Sequence, residues 1–246
     1  MKALLLAAGF GRRLKPLTDT IPKCMVPIGG KPLLGHWIEL LLNPIEGGKT
    51  RKAPIFEEVI INTHYLSHAV QTFIHSQKYR DSIRLIHEPK LLGTAGTLRA
   101  NRSLMTNQCM FVAHADNVTR FNLQKFINCF KERPSQCIGT MMTFETTSPE
   151  SCGIVETDDD GVLVGYHEKV RQPPSSLANA AVFLLEPSIF SILDQHQQAT
   201  DFCAEVVPQL VGRLNTFHNG YYHRDIGTPA SYEQALRDFN AYIKER

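Results

Sequence analysis

The chain opens on a feature that leaves few choices of fold: an apolar run, Leu4-Leu5-Leu6-Ala7-Ala8, breaks directly into Gly9-Phe10-Gly11-Arg12-Arg13. A short apolar run bounded by glycines reads as a strand buried on both faces, as in parallel sheets. Glycines just after such a strand let the backbone approach a ligand and expose N–H groups to phosphate oxygens. Arg13, and Lys23 behind Pro22, add cations suited to balancing a polyphosphate. The opening points to nucleotide handling.

Two familiar phosphate loops do not fit. A dinucleotide fingerprint needs a third glycine where Leu14 stands, and Pro16 and Pro22 argue against a helix starting at the loop. A P-loop would need a first glycine where Asn43 precedes Gly47-Gly48-Lys49-Thr50, and no strand leads into that stretch. It reads as a solvated loop within the long connection 43–54.

Apolar and amphipathic segments alternate along the first part of the chain. Strands are expected at residues 2–7, 56–62, 83–87, 110–113 and 138–144, and helices at 33–42, 67–76, 95–104 and 122–132, with Thr94 as cap of the third. This alternation predicts an α/β fold, a mostly parallel central sheet covered by helices on both faces. After Thr146 the rhythm changes to short strands at 153–156 and 162–168, joined by Asp158-Asp159-Asp160-Gly161, then a strand at 180–185. Helical segments are expected near 187–194 and 203–212, and a last helix at 229–243 capped by Thr228. We expect one domain over 1–246, with a half at 1–146 and an antiparallel and helical elaboration at 147–246.

Composition excludes several classes. With 43% hydrophobic residues and a net charge of +2, the chain affords a core but shows no basic tract for nucleic acid. No signal peptide or membrane-length apolar run is apparent, and six scattered cysteines without a C-x-x-C pair suit reduced thiols in the cytoplasm.

In open α/β sheets ligands lie beyond the carboxyl ends of the strands. That rule selects residues 9–13, then Glu88 with Gly93-Thr94-Ala95-Gly96, then Asp116. Asp116 suits a hard cation, since Mg²⁺ is held by one or two carboxylates plus substrate phosphates. Asp225, in Asp225-Ile226-Gly227-Thr228-Pro229, is a second candidate. The Asp158–Gly161 run fits a hairpin turn better than a metal site, and His64 with His68 lacks the glutamate of a zinc helix.

Taken together, these segments resemble the sugar-1-phosphate nucleotidylyltransferase family. Its opening pattern, G-x-G-x-R-L-x-P-L-T and then P-K-x-x-x-P-x-x-x-K-P, is met by residues 9–18, Pro22-Lys23, Pro27 and Lys31-Pro32. The likeness continues through residues 93–96, Asp116, Glu168-Lys169, Asn179 and residues 225–229. It implies a Rossmann-like three-layer nucleotidyltransferase fold with a small antiparallel sugar-side elaboration. It also implies transfer of a nucleoside monophosphate from an NTP to a sugar 1-phosphate with release of pyrophosphate. The first half would then bind nucleotide and the second sugar phosphate.

By the same resemblance, Leu6, Ala7, Ala8, Gly9, Gly11, Arg12, Glu88, Gly93, Thr94 and Gly96 bind the nucleotide. Arg13 and Lys23 act on the phosphates, and Asp116 and Asp225 hold Mg²⁺. Gly153, Glu168, Lys169 and Asn179 take the sugar phosphate. Arg12 stands where Ser or Thr is common, and Val170 where proline is usual. No hexapeptide β-helix follows the last helix, and a homodimer is compatible with the sequence. Glu88 can accept hydrogen bonds from the guanine N1–H and amino group, which favours GTP. The likeness of residues 88–97 to the guanylyl branch, with the compact length and residues 22–32, implies a mannose or heptose type of sugar. UTP or dTTP with glucose or an amino sugar is the alternative, and a non-catalytic regulatory homologue a weaker one.

Overall fold

The computed structural model describes residues 1–43, 45, 46, 49, 50, 55–105 and 108–244. In chain order the elements begin with β1 (Lys2–Leu6), β2 (Pro27–Ile28), β3 (Lys31–Pro32) and α1 (Leu33–Leu42). Next come β4 (Ile45–Glu46), β5 (Lys49–Thr50), β6 (Glu58–Thr63), α2 (Ser67–His75) and β7 (Ile83–His87). Then follow α3 (Gly93–Ala100), β8 (Met110–His114), β9 (Asn117–Arg120), α4 (Leu123–Lys131) and β10 (Gly139–Glu145). The chain continues with β11 (Gly153–Thr157), β12 (Leu163–Glu168), β13 (Leu177–Leu185) and α5 (Ile189–Gln195). Last are β14 (Leu214–His218), β15 (Tyr222–Asp225) and α6 (Pro229–Lys244). The connection 43–54 lies partly outside the described residues; within it β4 and β5 pair antiparallel.

The described chain forms two compact units, each assembled from separate segments. The first unites residues 1–91, 114–119 and 223–246. Its sheet is parallel, with β6 between β1 and β7. Ala3, Leu4, Leu5 and Leu6 of β1 and Val59, Ile60 and Ile61 of β6 are all buried, the continuous apolar pattern of strands covered on both faces. Helix α1 buries Leu33, Leu34, Trp37, Ile38, Leu41 and Leu42, a helical stripe started behind Pro32. Thr228 caps α6 by accepting the Ser231 N–H at 3.2 Å, as expected from sequence.

The second unit unites residues 92–113 and 120–222 and is mixed. Strand β13 is its hub, pairing antiparallel with β8, β10 and β11, while β10 pairs parallel with β14. Helix α4 buries Leu123, Phe126, Ile127 and Phe130 at i, i+3, i+4 and i+7, and Asn122 caps it by accepting the Lys125 N–H at 2.9 Å. The Asp158 carboxylate accepts the N–H groups of Asp160 and Val162, so the acidic run makes the β11–β12 turn.

Two local expectations are corrected. Helix α3 starts at Gly93, and the Thr94 hydroxyl accepts the Phe202 N–H at 2.7 Å instead of capping it. Residues 203–212 are not one helix: a π-turn at Phe202–Val206 passes into a 3₁₀ turn at Val207–Leu210, where Pro208 lacks the N–H a regular helix needs.

At the start of the parallel sheet Glu58 on β6 bridges its two neighbours, Lys2 at 3.0 Å and Arg84 at 2.6 Å. Partial burial alone would raise the Glu58 carboxyl, but these two cations outweigh it and hold it below its usual value. The resulting stability is present above the ordinary carboxylate value and is lost as pH falls through the lowered one. Glu58→Gln is expected to cost about 1 kcal/mol at neutral pH and to flatten the acid limb of the stability curve. Urea unfolding across the acid range checks this, and an unchanged limb would refute it.

Candidate active site

The first unit brings together residues far apart in sequence. The Lys23 ammonium donates to the Asp116 carboxylate at 2.7 Å and to the Asp225 carboxylate at 2.9 Å. Each is delivered by a different device. Lys23 stands in a 3₁₀ turn (Lys23–Met25) entered through Pro22. Asp116 follows Ala115, whose N–H donates to the Leu6 carbonyl at the end of β1, at 3.0 Å. Behind it the Trp37 indole of α1 donates to the Asn117 carbonyl at 3.1 Å. Asp225 ends β15, which pairs with β9.

Burial works against the charge on Lys23, but the two carboxylates outweigh it and hold the ammonium above its usual pKa. Burial would likewise raise Asp116; Lys23 first, then His114, bring it below the carboxylate range. Burial, reinforced by Asp116, pushes the Cys24 thiol up to about 12, so it stays protonated. Burial, with His114, lowers His223 to about 3, leaving a neutral imidazole behind the acids.

Arg13 is largely exposed and reaches within 4.0 Å of Asp225. Gly227 makes room for the pair, since a Cβ there would stand 2.7 Å from Asp225 Oδ2 and 2.9 Å from Arg13 Nη2. The Asp225-Ile226-Gly227 motif thus has a steric reason for its glycine.

The loop after β1 is held from beneath. Gly11 has φ of +63°, and its carbonyl accepts both the Leu14 N–H at 2.9 Å and the Thr18 hydroxyl at 2.8 Å. Gly9 is different, because a Cβ there would meet no atom within 4 Å. Nothing in the chain's own packing asks for that glycine, which suits close approach by a ligand. Arg12 stacks over the Phe10 ring at 4.9 Å, and Phe10 packs edge-on against His64 at 5.2 Å.

Glu88 is 3% exposed, just past β7. Its carboxylate accepts from the Asn62 amide at 2.9 Å, and the Asn62 carbonyl accepts the Ala7 N–H at 2.7 Å. Asn62 therefore ties Glu88 to the segment that follows β1. Sequence reading missed this role, although the strand-end rule applied to β6 would have selected Asn62.

The second unit carries Gly93, Thr94 and Gly96 at the start of α3, where the Ala95 N–H donates to the Thr200 carbonyl at 2.9 Å. It also gathers Glu168, Lys169, Asn179 and Gly153. The Lys169 ammonium lies 2.9 Å from Glu168, a pairing that raises its pKa. Asn179 sits in a bulge of β13, where the register against β10 jumps and Ala181 takes φ of +52°. The Asn179 carbonyl accepts the Ala181 N–H at 2.8 Å. Its amide donates to the Tyr166 hydroxyl at 3.3 Å, a partner not anticipated from sequence.

Two converging carboxylates suit Mg²⁺, which takes one or two protein carboxylates and completes its shell with phosphate and water. Their shared grip on one ammonium is direct evidence that both reach a single cation. No cluster of three or more His, Cys, Asp or Glu side chains suited to a metal exists among the described residues, so a fully protein-bound ion is not indicated there.

Removing Lys23 leaves two carboxylates facing one another without their cation. Lys23→Met is expected to cost about 2 kcal/mol, less than a fully buried pair because Asp225 is half exposed. Added Mg²⁺ should narrow that deficit. Urea unfolding with and without the ion tests both statements, and wild-type stability without Mg²⁺ would refute the first.

Comparisons with known proteins give the fold and the family. Mannose-1-phosphate guanyltransferase beta-A of Xenopus laevis is 29% identical over 240 residues, covering 94% of this chain and 62% of that protein. The chain thus spans about three fifths of the length of the curated relatives it matches. Among solved structures, a candidate glucose-1-phosphate thymidylyltransferase from Bacillus anthracis, in complex with sucrose, has a TM-score of 0.78 at 19% identity, over 97% of this chain and 95% of that one. HddC from Yersinia pseudotuberculosis, complexed with GMP-PN, has a TM-score of 0.76 at 24% identity, over 97% and 99% of the two chains. These likenesses show the Rossmann-like nucleotidyltransferase fold, with its mostly parallel mixed central sheet. Residues 2–241 match the nucleotidyl transferase family, and the chain belongs to it, as the resemblance carried by its motifs implied.

Proposed function

We propose that this chain transfers a nucleoside monophosphate from an NTP to a sugar 1-phosphate, releasing pyrophosphate, with GTP preferred and a mannose or heptose type of sugar. The observation that carries the reading is the Lys23 ammonium held between Asp116 and Asp225, beside Arg13. Phosphoryl chemistry of this kind asks the protein for positioning and charge neutralisation rather than a covalent intermediate.

Each residue then has a defined task. The backbone of residues 6–11 lies along the nucleotide, with Arg12 adding charge at its edge. Arg13 grips the phosphates that leave as pyrophosphate, its guanidinium presenting two parallel donors. Lys23 turns from the carboxylates toward the oxygens of the α-phosphate, where negative charge grows during attack. Asp116 and Asp225 would hold Mg²⁺, which when bound neutralises the phosphate oxygens. Lys169 meets the incoming phosphate and Glu168 the sugar hydroxyls. Gly93, Thr94 and Gly96 flank the nucleotide.

The guanine preference rests on Glu88, an acceptor-only carboxylate fixed by Asn62. It is supported by the names of the curated relatives and by the GMP-PN complex of HddC. A second reading, dTTP or UTP with glucose 1-phosphate, is favoured by the name of the Bacillus anthracis structure. No described helix is long and apolar enough to cross a membrane.

A pyrophosphate-release screen of four NTPs against mannose-, heptose-, glucose- and glucosamine-1-phosphate with Mg²⁺ tests the proposal. GTP with mannose or heptose phosphate should give the highest rate. A dTTP or UTP optimum would replace it with the second reading, and silence across the panel would overturn both. Asp116→Asn and Asp225→Asn should each lower kcat about 100-fold or more when assayed below their unfolding temperature, which should itself fall because each removes part of the counter-charge of Lys23. Near-normal turnover of either variant at limiting Mg²⁺ would remove it from the metal site.

A further inference from the structure

Strands β11, β12 and β13 align three side chains around one empty position. The β11–β12 register sets Gly153 directly opposite Glu168. On the other side Ile154 pairs with Ala178, which carries Gly153 beside Asn179 one step further along. Tyr166 precedes Glu168 by two residues on β12, so both side chains leave the same face of the strand.

The Tyr166 hydroxyl reaches back over Gly153. It donates to Glu168 Oε2 at 2.8 Å and accepts from the Asn179 amide at 3.3 Å. A Cβ on Gly153 would overlap that hydroxyl and stand 2.7 Å from the same Glu168 oxygen. Glycine is thus required here by the phenol, not by the backbone, which takes no positive φ at this residue.

The network has one direction of donation. Burial first, then Cys203 and Glu168, push the phenol pKa upward, so the hydroxyl keeps its proton. Asn179 is fixed in turn, because its carbonyl is taken by the Ala181 N–H at the bulge. The remaining Glu168 oxygen faces the Lys169 ammonium at 2.9 Å. Each oxygen of that carboxylate therefore has a set partner and a set orientation.

We propose that Tyr166 is a positioning residue whose hydroxyl locks Glu168 and Asn179 into one rigid edge for reading the hydroxyls of a sugar 1-phosphate. This rests on the proposed nucleotidyl transfer and adds to it a residue that determines affinity for the sugar substrate. Gly153 is part of the same device, because it supplies the space the phenol occupies. The sugar edge is preorganised before substrate arrives, which lowers the ordering cost of binding.

Two variants test this by different routes. Tyr166→Phe keeps the ring and deletes both hydrogen bonds, whereas Gly153→Ala keeps the hydroxyl and displaces it. Both should raise KM for the sugar 1-phosphate about tenfold, the scale of one hydrogen bond to a charged group, and leave KM for the NTP unchanged. The effect on kcat should be smaller than that on sugar KM. A sugar KM unchanged in both variants, or a rise shared equally by both substrates, would overturn the assignment. A readout without turnover separates this from failure of the proposed activity. In substrate-free Tyr166→Phe the side-chain amide resonance of Asn179 should shift, and a crystal structure should have Glu168 in a new rotamer. If wild-type protein uses no sugar 1-phosphate, the proposed activity falls. If Asn179 and Glu168 stay in place in that variant, the positioning role falls whatever the activity.

Discussion

The first unit depends on a single ammonium. Lys23 is almost buried, and burying a charge is costly unless it is paired, so its two carboxylate partners must be in place for it to remain where it is. That requirement reaches outward. Asp116 is set by the backbone bond from Ala115 to Leu6 and by Trp37, and Asp225 by β15 and the small Gly227. Loop, sheet, helix and C-terminal segment thus converge on one charge. The same arrangement that stabilises the unit is the one on which the proposed phosphate chemistry rests.

A second level of order rests on neutral side chains. In the first unit Asn62 links the segment that follows β1 to Glu88; in the second Tyr166 links Glu168 to Asn179. Both are neutral side chains between a backbone or amide group and a carboxylate. Each fixes where an acceptor points.

Much of this was legible in the sequence where the physics is local. The buried run of β1, the helix behind Pro32, the Asp158 turn and the Thr228 cap follow from short-range rules, and all four stand in the structure. The acids Asp116 and Asp225 stood out as polar residues at element ends, and the structure brings them to one ammonium. What was illegible depends on partners distant in sequence. Thr94 has the composition of a cap, yet its hydroxyl is claimed by the Phe202 N–H. The bulge that turns Asn179 appears only as a register jump between β10 and β13, and Ala181 gives no sign of a positive φ. Tyr166 gave no signal in the sequence, because the space its hydroxyl fills is left by Gly153 on the neighbouring strand.

The segmental make-up of the first unit has a consequence for how the protein is born. Its charge cluster draws on residues 23, 116 and 225, so a chain emerging from the ribosome can present Lys23 and Asp116 long before Asp225 exists. Until then Lys23 has only one of its two carboxylate partners. The second unit, whose segments end at residue 222, is complete before the first can close. Synthesis therefore finishes the segments of the second unit first and brings the last carboxylate to Lys23 afterwards.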